Sequence, residues 1–158
     1  ALFGLAPTLP TLSLLVCYDT HPAQLDWEML LPETSTSIQL ISNESSKNAA
    51  GHKLGLCIQA QPAWSRQRLN LPVEEWTRDI LREAALLLGD WAIKPEWHRP
   101  HRWRESRLDS ASRLRGPLYY NIAGCELGII GEYFNPAGGL EGAFLSGHHL
   151  ADLLKETK

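Results

Sequence analysis

This chain lacks nearly all of the short signatures by which a sequence declares its chemistry. The first half contains no G-x-G-x-x-G, so the glycine turn that seats a dinucleotide pyrophosphate is missing. Neither C-x-x-C nor H-E-x-x-H occurs, which removes two common zinc spacings. The histidine pairs do not replace them. His98 and His101 lie three apart, which on a strand sends them to opposite faces. His148 and His149 are neighbours, about 100° apart on a helix. No metal is expected. Ser146 sits in Leu-Ser-Gly rather than G-x-S-x-G and falls mid-helix, where a strained nucleophile elbow cannot form.

Other absences bound the setting. Cysteine is scarce: Cys17, Cys57 and Cys125 are odd in number, far apart and set in apolar stretches. They read as buried thiols of a reduced compartment, not a disulfide framework. No apolar run approaches the ~20 residues that span a bilayer. The opening Ala-Leu-Phe-Gly-Leu-Ala has neither the basic start nor the long apolar centre of a signal peptide. A cytoplasmic protein without membrane contact is the expectation. A strong charge excess is absent too: 15 basic against 18 acidic residues leave a net charge of -3, which argues against a general polyanion binder.

What is present is a chain of 158 residues, the length of one domain with a core that needs no staples. Its first residue is Ala1 rather than Met, which fits processing or a piece cut from a longer protein. Thr11 to Tyr18 alternates, with Leu12, Leu14, Val16 and Tyr18 on one face of a half-buried strand. Asp19 to Thr36 is polar and broken by proline, with apolar Trp27 to Leu31 inside it, and reads as loop with room for one helical turn. Ser37 to Ser42 reads as a short strand and Asn43 to His52 as a turn. Leu54, Leu56 and Ile58 then mark a strand paired with its predecessor. The clearest helix spans 72–89: Pro72 suits a first turn, Glu74 and Glu75 suit the dipole, and Val73, Trp76, Ile80, Ala84 and Leu87 step by three and four to Gly89.

Glu96 to Glu105 reads as extended, with Trp97, His101 and Trp103 on one side. Leu118 to Ile122 and Leu127 to Tyr133 read as a hairpin. In a final helix Leu140, Phe144, Gly147, Ala151 and Leu154 form one stripe. The order suggests an α+β fold, an antiparallel sheet crossed by one helix, with the closing strand and helix in a second, incomplete layer.

Two constellations could carry function. Trp97 to Arg107 concentrates four arginines, two histidines and two tryptophans. It could be a ligand site or a stacking platform for nucleic acid, or alternation could simply bury Trp97 and Trp103 while the arginines face solvent. The overall negative charge argues against nucleic acid. The second constellation runs from Leu127 to Gly147. An apolar strand ends on Gly131 and Glu132, a Gly-Gly turn follows, and a helix opens on small residues, Gly142 and Ala143. Unpaired N–H groups and the dipole at such a helix start favour an anionic ligand. Turn formation and close packing explain the same glycines equally well.

The segments His101-Arg-Trp-Arg-Glu-Ser and Gly131-Glu-Tyr-Phe…Gly139-Leu-Glu-Gly-Ala-Phe-Leu-Ser-Gly147 resemble the C-terminal half of renalase-like flavoproteins, FAD-dependent oxidoreductases of the amine oxidase superfamily. Leu40-Ile-Ser-Asn-Glu-Ser-Ser-Lys47, Ala60 to Arg66 (as a strand end) and Pro72 to Gly89 extend the resemblance over most of the chain. It implies an antiparallel substrate domain over residues 1–115. Residues 116–158 would then be the closing strand and helix of an FAD-binding domain whose N-terminal half is absent. Gly131 and Glu132 would approach the ribityl or phosphate part of FAD, although many members have Asp at the place of Glu132. Gly139, Leu140, Glu141, Gly142 and Ala143 would line the cofactor near the flavin, and Trp103, Tyr119 and Tyr120 the substrate side. The implied chemistry is hydride transfer to the flavin from an amine or nicotinamide-type substrate. The implied partner is a Rossmann-type half or a second copy of the chain, and this chain alone is expected not to retain FAD.

Overall fold

The alternation of the first strand sets its large apolar side chains on one face of the sheet, although Thr11, Ser13 and Cys17 of the other parity are buried as well. In the computed structural model, which describes residues 7–19, 25–47 and 53–156, β1 runs Thr8–Tyr18. Its Leu12, Leu14, Val16 and Tyr18 are fully buried, as their spacing requires. β2 (Met29–Leu30), β3 (Ile38–Asn43), β4 (Leu54–Ala60) and β5 (Trp97–Leu108) complete a five-stranded antiparallel sheet in the order β2-β3-β4-β1-β5. Leu14 lies opposite Ile58 and Val16 opposite Leu56, while Ile41 lies opposite Ile58 on the other side of β4. One face of three adjacent strands is therefore continuous hydrocarbon.

Two helices cover that face. α1 (Pro62–Arg68) starts with proline at its first turn, where the missing N–H costs nothing. α2 (Val73–Leu88) buries Trp76, Ile80 and Ala84 and ends at Gly89, whose φ of 105° suits glycine and whose N–H donates to the Ala85 carbonyl. Each large side chain so buried contributes about 1.5–3 kcal/mol. Polar ties fix the layer. The Leu12 N–H donates to Ser65 Oγ at 3.0 Å, and Tyr18 Oη donates to the Ala92 carbonyl at 2.8 Å. Ser37 Oγ donates to Glu83 Oε2 at 2.6 Å.

Several boundaries differ from the sequence reading. Ala60 to Arg66 reads as the end of a strand, yet the strand stops at Ala60 and α1 follows; two helices, not one, lie on the sheet. Proline, with fixed φ and no donor, begins a helix there rather than prolonging a ladder. The region read as loop contains β2, which pairs with β3. Glu44–Lys47 forms a 3-10 turn in the segment read as a turn, and residues 20–24 and 48–52 lie outside the described residues.

Leu9–Ser106 forms one compact unit, and Arg107–Lys158 with Pro7 and Thr8 forms another. In the latter, β6 (Leu118–Ile122) and β7 (Cys125–Ile129) make a hairpin through Ala123 and Gly124, both at positive φ. β7 ends at Ile129 rather than at Tyr133. Gly131, at φ 143°, turns the chain into a 3-10 segment, Glu132–Phe134. α3 (Gly139–Glu156) then lies against the hairpin, with Leu150 beside Gly128.

The apolar stripe of α3 is not buried as its spacing suggests. Leu140 is 93% and Phe144 66% exposed, whereas Gly142 and Ser146 are buried. A two-stranded hairpin covers only a narrow strip of an 18-residue helix. Ser146 Oγ sits on that strip, accepting the Gly131 N–H at 2.9 Å and donating to the Ala143 carbonyl at 2.8 Å.

Candidate functional site

The sheet face opposite α1 and α2 carries the residues that alternate with the core. From β1 these are Ser13 and Leu15, and from β4 they are Cys57 and Gln59, with Ser13 opposite Gln59 and Leu15 opposite Cys57. β5 adds Arg99, His101 and Trp103, which share a face because they lie two apart. Together with Pro100 and Ser106 they line a concavity of about 650 Å³, all of it within Leu9–Ser106. That volume suits a small molecule.

Its walls divide by chemistry. Trp103 and His101 stand side by side, ring centroids 4.2 Å apart and planes at 55°. Trp103 is 50% exposed and Leu15 42% exposed, so apolar surface faces the concavity uncovered. Arg99 is exposed and has no hydrogen-bond or ion-pair partner among the described residues. Ser13 is buried, and its Oγ likewise finds no partner there. A buried hydroxyl without a partner is costly, so its presence in a lining wall is informative. Burial, reinforced by the Glu44 carboxylate, pushes the Cys57 thiol up, which keeps it protonated and a poor nucleophile.

Two further arginines of the same strand, Arg102 and Arg104, are engaged on the helix side. Arg102 Nη2 donates to the Leu71 carbonyl at 2.6 Å, with its guanidinium 5.6 Å from the Trp76 ring, and Arg104 Nη1 reaches Asn70 Oδ1 at 3.5 Å. Alternation thus splits the basic cluster between the two faces. It does not bury the tryptophans, as one reading of the sequence held: Trp97 is 49% exposed, as uncovered as Trp103. The cysteines also divide, Cys17 buried, Cys57 half-buried and Cys125 exposed, so the expectation of three buried thiols fails at Cys125. The reason is that β7 belongs to a two-stranded hairpin with little to cover it.

The other residues singled out from sequence lie in the Arg107–Lys158 unit. Tyr119 and Tyr120 sit half-buried on β6, and a hydrogen bond to the Glu126 carboxylate pushes the Tyr119 phenol up. That phenol is occupied by a cross-strand pairing. Gly131 and Glu132 follow β7, and Glu132 Oε2 accepts the Gly139 N–H at 3.0 Å. Glu132 therefore caps the start of α3 with its own carboxylate. Beside it Leu140 and Glu141 are exposed, Gly142 is buried and Ala143 half-buried. Arg113 lies under the same turn, its Nη1 donating to the carbonyls of Pro136 and Ala137.

The sequence reading names Trp103 as a substrate contact and includes Arg99 and His101 in the Trp97–Arg107 cluster as one of its alternatives for a ligand site, but does not single out Ser13 and Gln59. The signal was available. Once Leu12 and Leu14 face inward Ser13 must face outward, and Arg99 and His101 share the parity of Trp103. Among the described residues no cluster of three His, Cys, Asp or Glu side chains could hold a metal ion, and no helix is long and apolar enough to cross a membrane. No protein-family model and no curated protein matches the chain.

Proposed function

We propose that this chain is the substrate-side portion of a renalase-like, FAD-dependent oxidoreductase of the amine oxidase superfamily, cytoplasmic and inactive by itself. One observation carries the reading: an antiparallel sheet packed by helices on one face leaves its other face as a concavity bearing Trp103, His101 and Arg99. A sheet of this kind, rigid behind and open in front, suits the positioning of a substrate against a cofactor held by a second body. The flavin would supply the hydride-accepting chemistry. The residues here would bind the substrate, orient it and exclude water.

In this reading the chain does not supply the dinucleotide site by itself. The leading N–H of α3 is taken by Glu132, and a carboxylate at a helix start repels the phosphate the dipole would otherwise attract. In this reading the phosphates belong to a Rossmann-type partner half, while Gly131, Glu132 and Gly139 to Ala143 face only the uncharged polyol and flavin parts. The partners are thus that half or a second copy of the chain, with a small-molecule substrate and neither nucleic acid nor membrane.

The test is the visible absorbance of the purified chain after addition of FAD and desalting. A colourless protein that captures FAD only when a separately expressed Rossmann-type half is supplied is the expected outcome. Retention of a flavin spectrum by this chain alone would overturn the account of Glu132. Failure of every such half to restore capture would overturn the flavin reading. A second reading, a self-standing ligand- or protein-binding module without cofactor, is favoured in its ligand-binding form by the concavity lying wholly within Leu9–Ser106. It requires ligand affinity to be the same with and without such a half.

A further inference from the structure

We propose that the open face of the sheet binds a small planar aromatic molecule carrying a carboxylate or similar anionic group, its ring against Trp103 and His101 and its charge on Arg99. The proposal names the ligand class of the face read above as the substrate side and rests on that reading.

The aromatic wall, two rings tilted 55° to one another, is the first argument. Trp103 and His101, 4.2 Å apart, present adjoining rings, and Trp103 keeps half its surface uncovered. With Leu15 across from them, the concavity presents apolar area whose burial by a ring is favourable. Charge is the second. Arg99 is the permanent charge in the lining, no carboxylate among the described residues lines the concavity, and no partner among them neutralises the guanidinium. A planar fork of N–H donors matches a carboxylate. The third is Ser13, whose buried Oγ has no partner and lies opposite the Gln59 position on the neighbouring strand. A polar substituent on the ring would satisfy it. These three features lie on strands β1, β4 and β5 of one sheet, so their spacing is held by backbone ladders rather than by loops.

The experiment is calorimetric titration of the full chain with 2-naphthoate, alongside its neutral isostere 2-naphthamide and the non-aromatic cyclohexanecarboxylate. The Trp103 indole N–H is followed by NMR. Naphthoate should shift that signal and bind about tenfold tighter than the amide, the size of effect expected of a charge-assisted hydrogen bond. Arg99→Gln, at an exposed position, should remove the preference for the acid, weakening naphthoate about tenfold and the amide far less. Trp103→Leu should weaken both aromatic probes. Equal affinity for all three probes, an unmoved Trp103 signal, or an acid preference that survives Arg99→Gln would overturn the proposal. The two readings fail separately. Naphthoate binding without any FAD capture by mixed halves would leave this site standing and remove the flavin. FAD capture without naphthoate binding would overturn the ligand class alone.

Discussion

At the scale of single residues, exposure and partnership govern chemistry more than residue type does. The three cysteines show this. Cys125 is exposed, Cys57 is half-buried with its thiol held protonated, and Cys17 is buried. The thiolate is the reactive form, so labelling by a maleimide near neutral pH should proceed in order of access and ionisation. One thiol should react promptly, and Cys125→Ser should remove that fast phase, as intact-mass spectrometry would show. Cys57 should follow more slowly, because its half-buried position limits access and a raised thiol pKa lowers the thiolate fraction. Rapid labelling in the Cys125→Ser protein would mean that the open face is less enclosed than described. The same contrast separates Glu132 from Arg99. Both were legible as charges in the sequence, but Glu132 is occupied by the Gly139 N–H while Arg99 faces an open concavity.

Elements show where local rules were sufficient and where they failed. α2 forms where its spacing puts it, because Trp76, Ile80 and Ala84 coincide with the hydrocarbon face of β1, β3 and β4. α1 was missed because seven residues are too few to show a period, and proline at its head resembles a strand stop. The turn of the β6–β7 hairpin runs against propensity: Ala123 sits at φ 52°, a region that an ordinary side chain enters at a cost of about 1–2 kcal/mol. Asn tolerates that conformation far better. Ala123→Asn should therefore stabilise the hairpin by about 0.5–1 kcal/mol, read as slower amide exchange along β6 and β7. Unchanged or faster exchange would show that the positive φ is not where strain resides. Lys53 illustrates the opposite case. Its Nζ lies 2.7 Å from both Asp19 Oδ1 and Glu96 Oε2, yet all three are exposed, and such pairs contribute little beyond orientation.

For the whole molecule, the decisive property is how unevenly apolar surface is covered. Within Leu9–Ser106 two helices seal one sheet face around Leu12, Leu14, Ile58 and Trp76. Within Arg107–Lys158 the stripe of α3 stands open, with Phe144, Gly147 and Ala151 forming a shallow apolar groove beside Ile130. Exposed apolar area of this kind favours association. Light scattering should show the average mass of the chain rising above that of a monomer as concentration increases, and Phe144→Glu should suppress the rise. A strictly monomeric species at high concentration would show that the stripe is not adhesive.

The sequence by itself determined the α+β class, the inward set on β1, a helix within 72–89 and the pairing of β3 with β4. Each depends on short-range periodicity that a single element carries within itself. It also placed Trp103 among the residues worth watching. Tertiary structure alone decided that Ser13, Arg99 and Trp103 share one concavity, since they come from strands more than eighty residues apart in sequence that meet only when β5 returns beside β1. It alone decided that Glu132 caps α3 and that the apolar stripe of α3 faces outward. Periodicity says which residues share a face; what stands in front of that face is a property of the packed chain.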